Sequence, residues 1–256
     1  MRIRRRYSVL LVVGVVAGLA VAGIAFAATS STFTFKATPS TAPKTTYKSG
    51  SLFTDLETTY TNPGNNNPGG AVDRTQIYLD KNFKVDPTAA TKCSSNQLAG
   101  KTMAQAMAAC KNALVGSGTA AATANGLFKI NGCVLLFNGQ PQNGLPTLQV
   151  FTRVQASNPS SISCASPATN SQGNATILLT GVYKPTTGLY SKVLDVQHIT
   201  QSASFPLTSY KTTVKHGNYA SARCAAADHL WHMKVVWTYN NATTSTVSKT
   251  QQCTVG

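Results

Sequence analysis

Apolar and polar side chains alternate along most of the chain. The clearest run extends from Trp231 to Tyr239, where every second residue is large and apolar. Shorter runs of the same kind occupy residues 51–62, 76–80, 148–155, 177–183 and 193–198. Because successive side chains of a strand point to opposite faces, this pattern predicts β-strands that are buried on one face.

Turn signals separate these runs. They are the segment NPGNNNPGG at 62–70, the Asn-Gly pairs at 131–132, 138–139 and 143–144, and Gly-Asn at 217–218. Asn and Gly favour turns because they adopt left-handed backbone conformations at low cost. Many short strands with such turns predict a mainly β fold, an antiparallel β-sandwich or open barrel.

One segment departs from the alternation and predicts a short helix. Thr102 and Gln105 have the spacing of a capping box, which satisfies main-chain N–H groups at a helix start. Apolar residues then follow at intervals of three and four, at Met103, Ala106, Met107, Cys110 and Ala113. We interpret the methionines as core residues, and Gly116 as the helix stop.

The N-terminus has the order of an export signal. Four arginines within residues 2–6 precede an apolar run from Val9 to Ala27, and the run closes on Ala25-Phe26-Ala27. A basic start, an apolar centre and an Ala-x-Ala end predict a cleaved signal peptide over residues 1–27. The alternative is an uncleaved anchor, since an apolar run of this length can span a bilayer. Contact with a membrane is expected through this segment alone, if it is uncleaved.

The rest of the chain has no clear internal boundary. Residues 28–48 are rich in Thr, Ser, Pro and Lys and predict a lead segment, either a partly ordered strand or a tether. We expect residues 49–256 to form a single β-rich domain.

Charge narrows the class of partner. The 256 residues include 22 Lys and Arg against 7 Asp and Glu, a net charge of +15, and 11% charged residues in all. This low charged fraction excludes a highly charged disordered chain and a Glu/Lys-rich coiled coil. Loss of four arginines with the signal lowers the net charge to +11. Outside the cytoplasm we expect no nucleic-acid partner, and the positive charge is dispersed rather than gathered in a tail.

Six cysteines follow the signal: Cys93, Cys110, Cys133, Cys164, Cys224 and Cys253. An even number in an exported chain predicts three disulfides rather than a metal site, because no Cys-x-x-Cys pair is present. Fifteen connectivities are possible. We expect the nearest neighbours to pair, as Cys93–Cys110, Cys133–Cys164 and Cys224–Cys253, because each pair flanks one structural unit.

Several segments together resemble a known family. They are DKNF at 80–83, Cys93, ACKNALVGSG at 109–118, FNG at 137–139 and SARC at 221–224. In these segments the chain is similar to a family of uncharacterised secreted proteins from soil actinobacteria. The resemblance implies export, cysteine bridging and a β-rich domain, and it carries over no catalytic or binding residues.

Two sets of titratable residues are candidates for hydrolysis. Asp55 and Glu57 share one strand face at about 7 Å, within the range of a glycosidase carboxylate pair. Asp228, His229 and His232 form the densest cluster, but residues three apart on a strand point to opposite faces. We therefore expect these histidines to be solvated at the surface. Asp195 and His198 diverge for the same reason.

Other chemistries lack their motifs. Ser117 in Gly-Ser-Gly follows a helix and does not match the Gly-x-Ser-x-Gly nucleophile elbow. No phosphate-binding loop is present, and we expect neither a cofactor nor a metal ion.

Two functions stay open. The first is a secreted, non-catalytic module, extracellular or associated with the cell wall, that binds an anionic envelope or extracellular polymer. Its candidate anion-binding residues are Lys184, Lys192, Lys211, Lys215 and Lys234, all on or beside predicted strands. The alternative is a secreted hydrolase that uses the carboxylate pair or the Asp/His cluster.

Overall fold

The computed structural model of the protein describes residues 30–59, 71–124, 128–154, 175–199 and 207–256. The strands of the first half are β1 (Ser30–Thr38), β2 (Thr41–Ala42), β3 (Lys48–Ser49), β4 (Ser51–Thr59), β5 (Val72–Asp80), β6 (Phe83–Val85), β7 (Leu114–Ala124) and β8 (Phe128–Gln142). Those of the second half are β9 (Leu145–Val154), β10 (Ala175–Pro185), β11 (Tyr190–Val196), β12 (Leu207–Val214), β13 (Ala220–Ala222), β14 (Leu230–Tyr239), β15 (Thr244–Gln252) and β16 (Thr254–Val255). Between β6 and β7 lie α1 (Ser95–Leu98), α2 (Met103–Cys110) and a 3₁₀ turn, Lys111–Ala113.

Eleven strands form one antiparallel sheet in the order β1-β4-β12-β7-β8-β9-β10-β11-β5-β14-β15. The sheet curls until its two edge strands, β1 and β15, lie beside each other. They share no main-chain ladder, but the side chain of Gln251 bonds the main chain of Ala37 across the gap. The result is a nearly closed antiparallel barrel, which confirms the predicted mainly β, disulfide-stapled fold. Its first strand comes from the predicted lead segment.

The predicted alternation positions the core. In β14 the residues from Trp231 to Tyr239 are alternately buried and half-buried, and the buried ones are 4% exposed or less. Burial of a large apolar side chain stabilises the fold by roughly 1.5–3 kcal/mol. Other strands of the sheet contribute Leu56, Leu136, Val150 and further side chains to the same inner core.

The two helices cover part of the barrel's outer face. Leu98, Met103 and Ala106 pack against Phe137 of β8 and Phe151 of β9, which alternate with inward-facing residues. The capping box is confirmed: the Thr102 hydroxyl accepts from the Gln105 N–H and the Gln105 side chain accepts from the Thr102 N–H. The helices thus form a second, smaller core outside the barrel. α1 lies outside the segment that predicted a helix.

Some predicted turns are wrong. Asn131-Gly132 and Asn138-Gly139 both lie inside β8. The Asn138 amide nitrogen lies 2.8–3.0 Å from three main-chain carbonyl oxygens in the 87–91 segment, so its side chain ties a loop to the strand. Asn143-Gly144 does form the β8–β9 turn, with φ of 50° and 78°, as a two-residue hairpin requires.

The helix stop is also misplaced. α2 ends at Cys110, and Gly116 lies inside β7. A Cβ at Gly116 would overlap the carbonyl oxygen of Thr213, so this glycine permits close approach of β7 and β12.

Two disulfides have the predicted pairing. Cys93–Cys110, with Cα atoms 5.7 Å apart, ties the entry to the helices to the end of α2. Cys224–Cys253, at 5.8 Å, ties the segment after β13 to the end of β15.

Cys164 lies outside the described residues, and the Cys133–Cys164 pair stays a prediction. The signal peptide and the turn at 62–70 also lie outside the described residues and stay predictions. Among the described residues no helix is both long and apolar enough to span a membrane.

Candidate functional site

Positive side chains gather at one end of the barrel, around the three-stranded sheet β3-β13-β6. Lys48 lies in β3, Lys84 lies in β6, and Arg223 directly follows β13. Lys81 lies in the turn before β6, and Tyr47 directly precedes β3. These five residues define an end of the barrel that we call the base. In the register of its sheet, Lys48 lies on the face of Phe83 and Lys84 lies on the opposite face.

Tyr47 contacts two residues of the base. Its hydroxyl donates to the main-chain oxygen of Lys81 at 3.3 Å. The Arg223 guanidinium carbon lies 5.1 Å from the centre of the Tyr47 ring, at cation–π distance. Arg223 also donates to the Asn82 side-chain oxygen at 3.2 Å. The base therefore presents an ordered cation beside an aromatic ring.

Exposed apolar side chains border the same end. Among the described residues, the large hydrophobic side chains that are exposed are Tyr47, Leu189 and Val255, at 40–43%. The Lys81 N–H donates to the Leu189 carbonyl at 3.0 Å, which places Leu189 at the edge of the base. Val255 lies in β16, two residues after the Cys224–Cys253 disulfide. Cations and exposed apolar groups together are typical of a binding surface.

The base holds more positive than negative charge. Asp86 pairs with Lys84 at 3.3 Å. Hydrogen bonds from Thr88 and from Lys84 lower the pKa of Asp86. Lys192, one of the predicted anion-binding lysines, reaches the same end and donates to the Val85 carbonyl at 3.3 Å. Burial lowers the pKa of Lys192.

The other predicted lysines are dispersed around the barrel. Lys184 bonds Asp195 at 2.6 Å on β10 and β11. Lys211 lies on β12, and three strands separate β12 from β10 in the sheet. Lys234, on β14, lies 4.0 Å from the centre of the Tyr78 ring, and Lys215 follows β12. The structure does not bring the five lysines onto one face.

The carboxylate pair is engaged by a lysine. Asp55 and Glu57 lie 2.9 Å and 2.8 Å from the same Lys211 nitrogen. The hydrogen bond to Glu57, which has the larger effect, and the one to Asp55 raise the pKa of Lys211. The pair therefore lies in a salt bridge on the outside of the barrel, and a lysine occupies the space between the two carboxylates where a glycosidic bond would have to lie.

His232 is not a solvated surface residue. Its side chain is 18% exposed, its Nδ1 lies 3.1 Å from an Asp80 carboxylate that is 1% exposed, and its Nε2 lies 3.4 Å from Asp228. The cluster departs from the sequence prediction because Asp80, on the neighbouring strand β5, completes it. Both ring nitrogens therefore face carboxylates of this chain. His229 precedes β14 with φ of 54°, in the predicted turn, and its Nδ1 lies 3.9 Å from Cys224 Sγ.

A groove of about 440 Å³ runs along the outside of β10 and β11, beside Asp195 and His198. Asp195 accepts two bonds from Arg74, at 2.6 and 2.8 Å, and one from Lys184 at 2.6 Å. His198 instead approaches Asp73 at 4.0 Å. Asp195 and His198 do not meet, as their spacing predicts. Among the described residues no group of three His, Cys, Asp or Glu side chains has the arrangement of a metal site.

Sequence reasoning missed the base because its cations come from separate parts of the chain. Lys48, Lys84 and Arg223 are scattered along the sequence, and the pairing of β3, β13 and β6 brings the segments that carry them together. Tyr47 was an available signal, since aromatic residues are enriched at binding surfaces.

Comparison of the chain with protein-family models, curated proteins and solved structures finds no match.

Proposed function

We propose that the protein is an exported, non-catalytic binding module that attaches to an anionic envelope or extracellular polymer through the base. The observation that carries this proposal is the Arg223 guanidinium over the exposed ring of Tyr47, beside the strands that carry Lys48 and Lys84. Cations bind the phosphate or carboxylate groups of such a polymer, and an exposed ring stacks on its sugar units.

The arrangement of the base favours an extended polymer over a small ion. Its cations are spread across three strands, and neighbouring strands lie about 4.8 Å apart. β3, which carries Lys48, and β6, which carries Lys84, flank β13 and are therefore roughly 10 Å apart. Repeating charges on one polymer can occupy several such cations at once, and each weak contact then strengthens the others.

Export is part of the proposal. Two disulfides are compatible with an oxidising compartment outside the cytoplasm. The Ala-x-Ala pattern places the mature N-terminus at about Ala28. N-terminal sequencing of the exported protein tests this point, and a membrane-bound species that retains Met1 contradicts it.

The hydrolase alternative finds little support in the described residues. The Asp55/Glu57 pair is bound to Lys211, and both nitrogens of His232 face carboxylates. We therefore do not advance it as a second function.

Co-sedimentation with isolated actinobacterial cell walls, whose choice rests on the family resemblance, tests polymer binding. The mature domain should pellet with the walls at 0.1 M salt and stay in solution at 1 M, because the Debye length falls from about 10 Å to about 3 Å. A triple variant, Lys48→Gln, Lys84→Gln and Arg223→Gln, should lose most of the low-salt binding.

A matched triple variant controls for net charge. Lys92→Gln, Lys111→Gln and Lys249→Gln remove the same charge from exposed positions outside the base and should leave binding nearly unchanged. Equal loss in both variants, or equal pelleting at both salt concentrations, contradicts a site at the base. Binding to anionic vesicles but not to walls would replace the polymer with a membrane surface and overturn the proposal.

A further inference from the structure

The barrel encloses a cavity of about 150 Å³. On β4 its lining extends from Leu52 to Thr58, roughly 20 Å at 3.3 Å per residue. Several lining side chains, among them Ile77 and Leu179, are only half-buried although they point into the barrel. The side chains of the described residues therefore do not fill the centre of the barrel.

Strand β7 keeps this space open. Its inward positions, which pair with Val214, Thr212, Tyr210 and Leu207 of β12, are Gly116, Gly118, Ala120 and Ala122. None of them has a side chain larger than a methyl group. A Cβ at Gly118 would overlap the Lys211 carbonyl oxygen, so close packing of the strands explains this glycine. The next two inward positions, Ala120 and Ala122, line the cavity, and larger residues there would fill it.

The described part of the lining carries no charge, although it includes threonines and Tyr210 among its apolar residues. The lining residues that the structure describes include no Asp, Glu, Lys, Arg or His. The hydroxyls of Thr54 and Thr212 bond each other at 3.0 Å, so they do not need a ligand. A buried charge without a partner is costly, and this lining disfavours charged ligands. It favours an uncharged molecule with a largely apolar surface.

We infer that the lumen of the barrel is a binding site for a small, neutral, apolar molecule about the size of one aromatic ring. Apolar cavities of about this volume stay free of water and accept ligands such as benzene. The inference is independent of polymer binding, because no residue of the base lines the cavity.

Toluene titrated into the mature domain tests the site, with methionine methyl groups observed by NMR. Met233 lines the cavity, whereas Met103 lies in the outer core beneath the helices and serves as an internal reference. Toluene should shift the Met233 resonance in a saturable way and leave Met103 unchanged. Benzoate, which has the same ring and a negative charge, should bind at least roughly tenfold more weakly than toluene.

A lumen-filling variant locates the site. Ala120→Leu places three more carbons in the cavity and should abolish the Met233 shift. Thr119→Leu makes a substitution of similar size at the adjacent exposed position of β7 and should not affect it. If Ala120→Leu does not fold, Ala122→Leu takes its place. An unchanged Met233 resonance at saturating toluene, an equal shift of Met103, or retained binding in the filled variants would overturn the inference.

Discussion

The edge strands β1 and β15 meet at a seam of the barrel without main-chain hydrogen bonds to each other, and the side-chain amide of Gln251 replaces such bonds there. The Ala37 N–H donates to Gln251 Oε1 at 2.7 Å, and Gln251 Nε2 donates to the Ala37 carbonyl at 2.9 Å. One glutamine thus satisfies both main-chain groups of a residue that is 4% exposed, at the point where β1 and β15 meet without a ladder.

Gln251→Ala should therefore weaken the seam. Loss of both bonds leaves a buried N–H and a buried carbonyl unpaired, at a cost of about 1–3 kcal/mol. Denaturant unfolding measures the loss, and hydrogen exchange should show faster exchange in β1. Gln252→Ala is the control, because Gln252 is exposed on the opposite face of β15. Equal stability of the two variants would contradict the role of Gln251.

Tyr210→Phe should stabilise the protein. The Tyr210 hydroxyl is buried in the barrel wall without a hydrogen-bond partner among the described residues. Burial raises the pKa of Tyr210 far above that of an ordinary tyrosine, so the hydroxyl keeps its proton. Removal of an unsatisfied buried polar group should increase the free energy of unfolding by about 1 kcal/mol.

Tyr239→Phe is the matched comparison for Tyr210→Phe. The Tyr239 hydroxyl lies 2.6 Å from the Ser31 Oγ, so the same substitution there removes a hydrogen bond. It should decrease the free energy of unfolding by about 0.5–1.5 kcal/mol. Effects of the same sign in both variants would show that the environments of the two hydroxyls do not differ as described.

Asp195 should contribute stability that acid removes. Burial opposes its ionisation, but hydrogen bonds from Arg74 and Lys184 outweigh it and hold the pKa of Asp195 below its ordinary value. A lowered pKa in the folded state means that the contribution is complete above the unfolded value, near 3.9, and is lost as the pH falls through the folded value.

Asp195→Asn should thus cost about 1.5–3 kcal/mol at pH 7, as expected for hydrogen bonds to a charged group. The difference from the wild-type protein should shrink as the pH falls below about 4. Urea unfolding between pH 7 and pH 2.5 measures both effects. Asp73→Asn, at a half-exposed carboxylate, serves as the control and should change little at any pH. A cost for Asp195→Asn that stays constant down to pH 2.5 would be the contrary result.

Removal of the Cys93–Cys110 bridge should loosen the helices and spare the barrel. The bridge closes a loop of 17 residues. The double variant Cys93→Ser, Cys110→Ser should therefore decrease the free energy of unfolding by about 3 kcal/mol. Hydrogen exchange should increase in α1 and α2. The control variant Cys224→Ser, Cys253→Ser should instead increase exchange around the base. Peptide mapping without reduction also tests the Cys133–Cys164 pair.

Local sequence patterns were enough to predict the elements that depend on neighbouring residues. The alternation from Trp231 to Tyr239 predicted β14 and its buried face, because a strand repeats every two residues. The Thr102/Gln105 capping box predicted the start of α2, because its hydrogen bonds span only three residues.

Contacts between distant segments decided the rest. Asn138-Gly139 has the sequence of a turn but lies in a strand, because its amide bonds a loop some 50 residues away. His232 is held by Asp80, and Gln251 closes the seam on Ala37, which lies more than 200 residues away along the chain. The sequence by itself determined strands, a helix start and a disulfide-stapled β fold, whereas the tertiary structure decided the closure of the barrel, its lumen and its base. The physical reason is that periodicity and capping act over a few residues, whereas strand order and register arise from the packing of the whole chain.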